Sequence, residues 1–197
     1  MTLLGVGAAA SPRFRPAGLL VEAGGRAVML DGGGDASPSG PVAAWLVCDP
    51  RCELIADIRR RAGALGLRPA VEALRLGALT VTPLPVAHTS HPAYGYLLEY
   101  GGGTAAWAPE FWEFPGWAAG VDVMFADAAG WRRPIRFAGG VGGHAAVLDT
   151  AARARALGVG RLVFAHVGRP SIRAIDAGEP LPFGEWGVEG RAYRLPR

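Results

Sequence analysis

Residues 3–33 read "LLGVGAAASPRFRPAGLLVEAGGRAVMLDGG". The first apolar run ends in the glycines Gly5 and Gly7. Two further runs, "GLLV" and "AVML", are separated by Gly24-Gly25, a pair that supplies the left-handed backbone a tight hairpin needs. The third run ends in Asp31-Gly32-Gly33. The segment reads as two or three short strands, the second and third joined in a hairpin.

Past this segment, "WLVCDPRCELIADI" (residues 45–58) runs from a buried-type strand into a helix through a short polar turn. Apolar residues at 54, 55, 58, 62 and 65 share one helical face, and Gly66 marks the end. Arg59, Arg60 and Arg61 fall on the solvated side. Strand signals return at "ALTVTPLPVAH", "YGYLLEY" and "TAAWAPE", the last two split by a triple-glycine turn. "FWEFPGWAAG" reads as a short helix or loop and "VDVMFADA" as a buried strand. The glycine-rich "GGVGGH" opens a second helix in "AAVLDTAARARALGV", and "RLVFAHV" is the last long strand. The Pro- and Gly-rich tail holds about a turn of helix and a short strand. Strands, helix, strands, helix, strand matches neither strict βαβ alternation nor an all-β pattern; two mixed sheets with helices outside satisfy it. The 197 residues suit one domain spanning 1–197.

Half the chain is hydrophobic and 19% charged, a globular composition. All 20 basic residues are arginine, and Lys, Asn and Gln are absent, a bias that reflects coding more than chemistry. The net charge of +3 is spread along the chain. It allows an anionic small-molecule partner and lacks the concentrated patch of a nucleic-acid groove. Cys48 and Cys52 have no second pair to complete a zinc site, and read as reduced thiols. No apolar run reaches the ~18 residues of a membrane span and no signal-peptide pattern opens the chain, so a cytoplasmic location is expected. Nothing locates a dimer interface, though an exposed apolar edge would support a homodimer.

In its order of segments the chain resembles the metallo-β-lactamase-fold hydrolases, in particular the compact ribonuclease Z-like and phosphodiesterase-like branch. The matching pieces are residues 3–33 with Asp31-Gly32-Gly33, "LPVAHTSHPAYGYLLE" (84–99), "AAWAPE" (105–110), "VDVMFADAAGW" (121–131) and "GGHAAVLDTAARARALGVGRLVFAHVGRP" (142–170). The resemblance implies a four-layer αββα sandwich. It also implies a metal centre built from His-x-His-x-Asp-His between a buried strand and a helix, followed by a His, an Asp and a His at later strand ends. Imidazoles and carboxylates hold borderline cations, and the cations lower the pKa of a bound water.

Laid on that pattern, the early cassette is degenerate. Asp49 stands at the first His position, Arg51 at the second, Glu53 at the Asp and Leu54 at the last His. A guanidinium stays protonated and has no lone pair to give, and an isobutyl group has none either, so a two-metal site cannot form. The later positions survive: His88, Glu110 and His166 match the remaining ligands, and His144 matches a histidine that acts near the leaving group. The resemblance then implies at most one divalent ion, zinc or manganese, on His88, Glu110 and His166, with Asp49 or Glu53 completing the shell. Asp49 and His144 are the catalytic candidates, the latter as general acid or oxyanion contact. The competing arrangement needs no metal: Arg51 pairs with Glu53 or Glu110, or is left to greet an anionic ligand. His91, Asp127 and Arg169 are further candidate contacts, Asp127 as hydrogen-bond partner to a histidine. Trp107, Trp112, Trp117 and Trp131 flank the expected cleft and could wall it. Two functions remain open, a hydrolase of phosphoester or ester bonds and a binding or regulatory protein that kept the fold.

Overall fold

In a computed structural model, which describes residues 1–196, the chain opens with β1 (Thr2–Gly5), β2 (Gly18–Ala23), β3 (Arg26–Asp31) and β4 (Ala44–Leu46), then α1 (Ile55–Ala64). There follow β5 (Leu74–Leu76), β6 (Leu79–Val86), β7 (Ala93–Tyr100), β8 (Gly103–Ala108) and β9 (Val123–Ala128). The last part holds β10 (Ile135–Arg136), β11 (Gly143–His144), α2 (Val147–Ala156), β12 (Arg161–Val167), α3 (Arg169–Asp176) and β13 (Glu185–Trp186). One sheet has the order β1-β2-β3-β4 and the other β13-β12-β9-β8-β7-β6-β5, with β10-β11 a separate pair. The β2–β3 hairpin turns on Gly24 and Gly25, both at positive φ, as the double glycine predicts.

Side-chain alternation sets the layers. Leu19, Val21, Val28 and Leu30 face the second sheet and join Tyr96, Leu98, Trp107 and Phe125 in the main core. Their neighbours of opposite parity, Met29, Trp45 and Val47, face outward and are covered by Ile58 and Ala62 of α1. The period of two along each strand puts one face on each side of the sheet. On the far side, α2 buries Val147, Ala151 and Ala154 against the second sheet. The result is an αββα sandwich of the metallo-β-lactamase type. No helix among the described residues is long and apolar enough to cross a membrane.

Three details depart from the sequence reading. β5 and the β10–β11 pair are additional, each strand only two or three residues long. "GGVGGH" does not lead straight into a helix: Gly143 and His144 pair with Arg136 and Ile135, and α2 begins at Val147. A Cβ on Gly142 would sit 2.0 Å from the His88 carbonyl oxygen, so glycine is what lets this loop close against His88. In the tail, α3 is an eight-residue helix with Pro170 in its first turn, where a missing N–H costs nothing.

Candidate active site

β6 runs antiparallel to β7 and β7 antiparallel to β8, while β8, β9 and β12 are mutually parallel. The carboxyl ends of β6, β8, β9 and β12 therefore share one edge of the sheet, the place where open α/β sheets collect ligands. His88 lies just past β6, Glu110 just past β8, Asp127 inside the end of β9 and His166 near the end of β12. Together with Ala8, Ala9, Ala10, Asp49, Arg51, Cys52, Glu53, Leu54, Thr89, His91, Phe137 and His144, three of these (His88, Glu110 and His166) line a single cavity of about 450 Å³. All four histidines of the chain thus meet.

His88 donates from Nδ1 to the Gly143 carbonyl at 2.9 Å, which leaves Nε2 as the bare nitrogen, 3.4 Å from Glu110 Oε2. His166 Nε2 lies 3.3 Å from the other oxygen, Oε1. His166 itself has φ +59, an uncommon conformation for a residue with a Cβ, at a register shift between Phe164 and Val167 on β12. Such strain persists where surrounding structure enforces it, and concentrates at functional sites. Burial pushes the Glu110 carboxyl up to about 7, with His88 and His144 opposing and Asp31 and Asp127 adding to the rise. Burial pushes His166 down to about 4, against the pull of Asp127.

His144 is oriented differently. Its Nδ1 donates to Asp127 Oδ2 at 2.7 Å, so Nε2 is the nitrogen left over. Asp127 is wholly buried and also accepts the backbone N–H groups of Phe111 and Ala129. Burial would lower His144, but the charge and hydrogen bond of Asp127 outweigh it and hold the imidazole above its ordinary value. Burial would likewise raise Asp127, yet His144 and the backbone donors keep it below the usual carboxylate range. Asp127 is the histidine partner the sequence suggests. The rings of His88 and His166 lie 4.9 and 5.1 Å from that of His144, and Phe137 packs edge-on against His88 and His144.

The turn after β4 behaves otherwise. Asp49 is buried, but its carboxylate is engaged by His91 Nε2 at 3.0 and 2.9 Å, and Oδ1 also accepts the Arg51 N–H. Arg51 and Glu53 are exposed. Among the described residues Arg51 forms no ion pair with Glu53 or Glu110, so the expected neutralising pair is absent: Glu110 is already placed between two imidazoles. Leu54 contributes to the cavity wall. Arg169 is exposed at the start of α3 and lies outside the cavity. The tryptophan wall is not there either; Trp107 and Trp131 are core residues, and Phe137 is the one aromatic wall among the described residues. Burial raises both thiols, Cys48 well above its ordinary value and Cys52 to about 12, which keeps them protonated and inert.

Sequence reasoning gave no role to Asp31. Its carboxylate accepts the Cys48 N–H at 2.7 Å and Trp107 Nε1–H at 2.6 Å, while its carbonyl accepts Trp45 Nε1–H at 2.8 Å. It has φ +50 and, with Glu110 and His166, lines a smaller hollow of about 40 Å³. Asp31 ties the first sheet to the second directly beneath the site. The Asp-Gly-Gly stop at the end of β3 was the visible signal.

For a metal, the donor chemistry fits better than the arrangement does. Bonds of about 2.0–2.1 Å put neighbouring ligands roughly 3.4 Å apart in a tetrahedron, and the two imidazole–carboxylate separations are 3.4 and 3.3 Å. Yet among the described residues no group of three or more His, Cys, Asp and Glu side chains stands ready to hold an ion. Glu110 presents a different oxygen to each imidazole.

Strand order, layering and the cluster at the sheet edge together define a class, and comparison confirms it. The chain belongs to the β-lactamase superfamily: the family model described as "Beta-lactamase superfamily domain" matches residues 52–167, more than half of it. Among solved structures it is similar to the metallo-beta-lactamase fold protein YhfI from Bacillus subtilis, at 16% identity and TM-score 0.75 over 98% of both chains. It is also similar to a diphosphatase of the PhnP family, at 16% identity and TM-score 0.74, over 96% of this chain and 94% of that one. Human tRNase Z, short form, matches at 11% identity and TM-score 0.68 over 100% and 99% of the two chains. No curated protein sequence matches the chain.

Proposed function

We propose that the protein is a hydrolase of small phosphoester or ester substrates, with an atypical site that takes at most one divalent ion, zinc or manganese. His88, Glu110 and His166 would hold the ion. Glu53, close enough for its charge to act on His144 and His166, would complete the set. Such an ion supplies Lewis-acid polarisation and a more acidic bound water. The protein's own residues orient and exclude: His88 Nδ1 is spent on the Gly143 carbonyl, so its Nε2 faces the cavity. His144, held by Asp127, keeps a proton available near a leaving oxygen. The observation that carries this reading is the meeting of four imidazoles and Glu110 in one cavity at the strand ends.

Metal analysis of purified protein should give about one equivalent, lost in H88A and H166A together with hydrolysis of bis-p-nitrophenyl phosphate. The second reading, a binding protein that lost catalysis, is favoured by Arg51 and Leu54 and by the absence of a ready-made ion site among the described residues. It predicts metal-free protein whose melting temperature ignores added zinc or manganese.

A further inference from the structure

The turn after β4 has lost its imidazoles, but the loop after β6 returns one to it. His91 approaches Asp49 from 42 residues away. That approach is held by backbone on both sides: the Tyr94 N–H donates to the Cys48 carbonyl at 2.9 Å, and Thr89 Oγ1 donates to the His91 carbonyl at 2.8 Å. Asp49 is itself fixed, since the Arg51 N–H donates to Oδ1 at 2.7 Å. A carboxylate 5% exposed that receives an imidazole N–H on both oxygens sets that ring's tautomer. With Nε2 carrying the proton toward Asp49, Nδ1 is the basic nitrogen, and it has no partner among the described residues.

Two of the other cavity imidazoles are placed differently, and the third serves the opposite side of the cavity. His88 is held by Gly143 through Nδ1 and faces Glu110 through Nε2. His166 faces Glu110 through Nε2, and His144 is clamped to Asp127 on the opposite nitrogen. Like His144, His91 combines a carboxylate behind one nitrogen with a second nitrogen that has no partner among the described residues; it lines the cavity beside the turn after β4 and forms no ion pair with Glu110 there. A buried carboxylate of this kind orients an imidazole and stabilises the cation it becomes on accepting a proton.

We infer that Asp49 and His91 form a general-base dyad, with Nδ1 of His91 taking a proton from the attacking water and Asp49 as the positioning residue. It rests on the hydrolase reading above but not on the metal. In the step, the water oxygen bonds to the phosphorus or acyl carbon as one of its protons passes to Nδ1. The ester bond breaks with its electron pair on the leaving oxygen, which takes a proton from His144, held by Asp127. The proton on His91 returns to His144 through solvent, and the sum is hydrolysis. Arg51, beside Asp49 and free of ion pairs among the described residues, lies where an anionic ester would meet it.

The test is steady-state hydrolysis of bis-p-nitrophenyl phosphate and p-nitrophenyl acetate by wild type, H88A, H91A, H91Q and D49N, with metal content and melting temperature measured on each. His91→Gln keeps a donor for Asp49 but cannot accept the proton, so it separates chemistry from folding. Both His91 variants are expected to lose kcat by roughly 10²-fold with KM and metal content within about two-fold of wild type. D49N should lower kcat with KM within about two-fold of wild type, because His91 loses the carboxylate that fixes its tautomer and orientation. Unchanged kcat in H91Q, or metal lost from H91Q as from H88A, overturns the dyad while leaving the hydrolase reading standing. Wild type inert to both esters, with and without zinc or manganese, defeats the two together.

Discussion

The turn between β4 and α1 and the set of strand ends at 88, 110, 127, 144 and 166 are two halves of one cavity, built on different terms. At the strand ends, Asp127 takes donors from three directions, and His88 is held through Nδ1 with Nε2 facing Glu110. The groups there are buried or nearly so, and the ionisation of Glu110, Asp127, His144 and His166 is displaced. In the turn, Arg51 and Glu53 are exposed; only Asp49 is buried, and it is paired to a loop outside the turn. A side chain whose backbone belongs to a packed sheet cannot be exchanged without cost to the fold. A side chain on a turn that Asp31 and Asp49 hold through backbone hydrogen bonds can be replaced while the turn keeps its shape.

Breaking the strand-end half should cost stability as well as chemistry. D127A strands the N–H groups of Phe111 and Ala129 and the imidazole of His144, and is expected to lower unfolding free energy by about 3 kcal/mol, read from urea denaturation.

Glu110 tests the same half through pH. Its folded pKa is raised, to about 7, so the stability it contributes is fully present below its unfolded value and is lost as pH rises toward 7. Chelator-treated wild type should therefore lose stability between about pH 4.5 and pH 7. E110Q should lack that part of the slope, as thermal melts across the range would reveal.

The smallest expected effect sharpens the contrast from the turn. R51H combined with L54H places two imidazoles at exposed or half-buried positions with little at stake for folding. Added zinc should then raise the melting temperature of the double variant by a few degrees more than that of wild type. An equal response in both would mean that the turn does not hold its side chains in the geometry of a metal site.

Much of this is legible in the chain alone. Gly24-Gly25, the alternating strands and the spacing of 58 and 62 are local signals, and each corresponds to an element where expected. His88, Glu110, His144 and His166 are legible through resemblance, because strand ends recur at similar places along such chains. β5, β10 and β11 are not: two or three residues are too few to show a period. The Asp31 bridge depends on which strand of the other sheet lies over it, and no pattern near residue 31 names Trp107.

By itself the amino-acid sequence determined the layers, through alternation that leaves each strand one face to bury, and that Arg51 and Leu54 offer no metal ligand, since neither has a lone pair in any conformation. Only the tertiary structure decided the partners: His91 with Asp49, Asp127 with His144, and Glu110 between His88 and His166. Strand register and loop closure set those meetings to within an ångström, across separations at which neighbouring residues along the chain carry no record of one another.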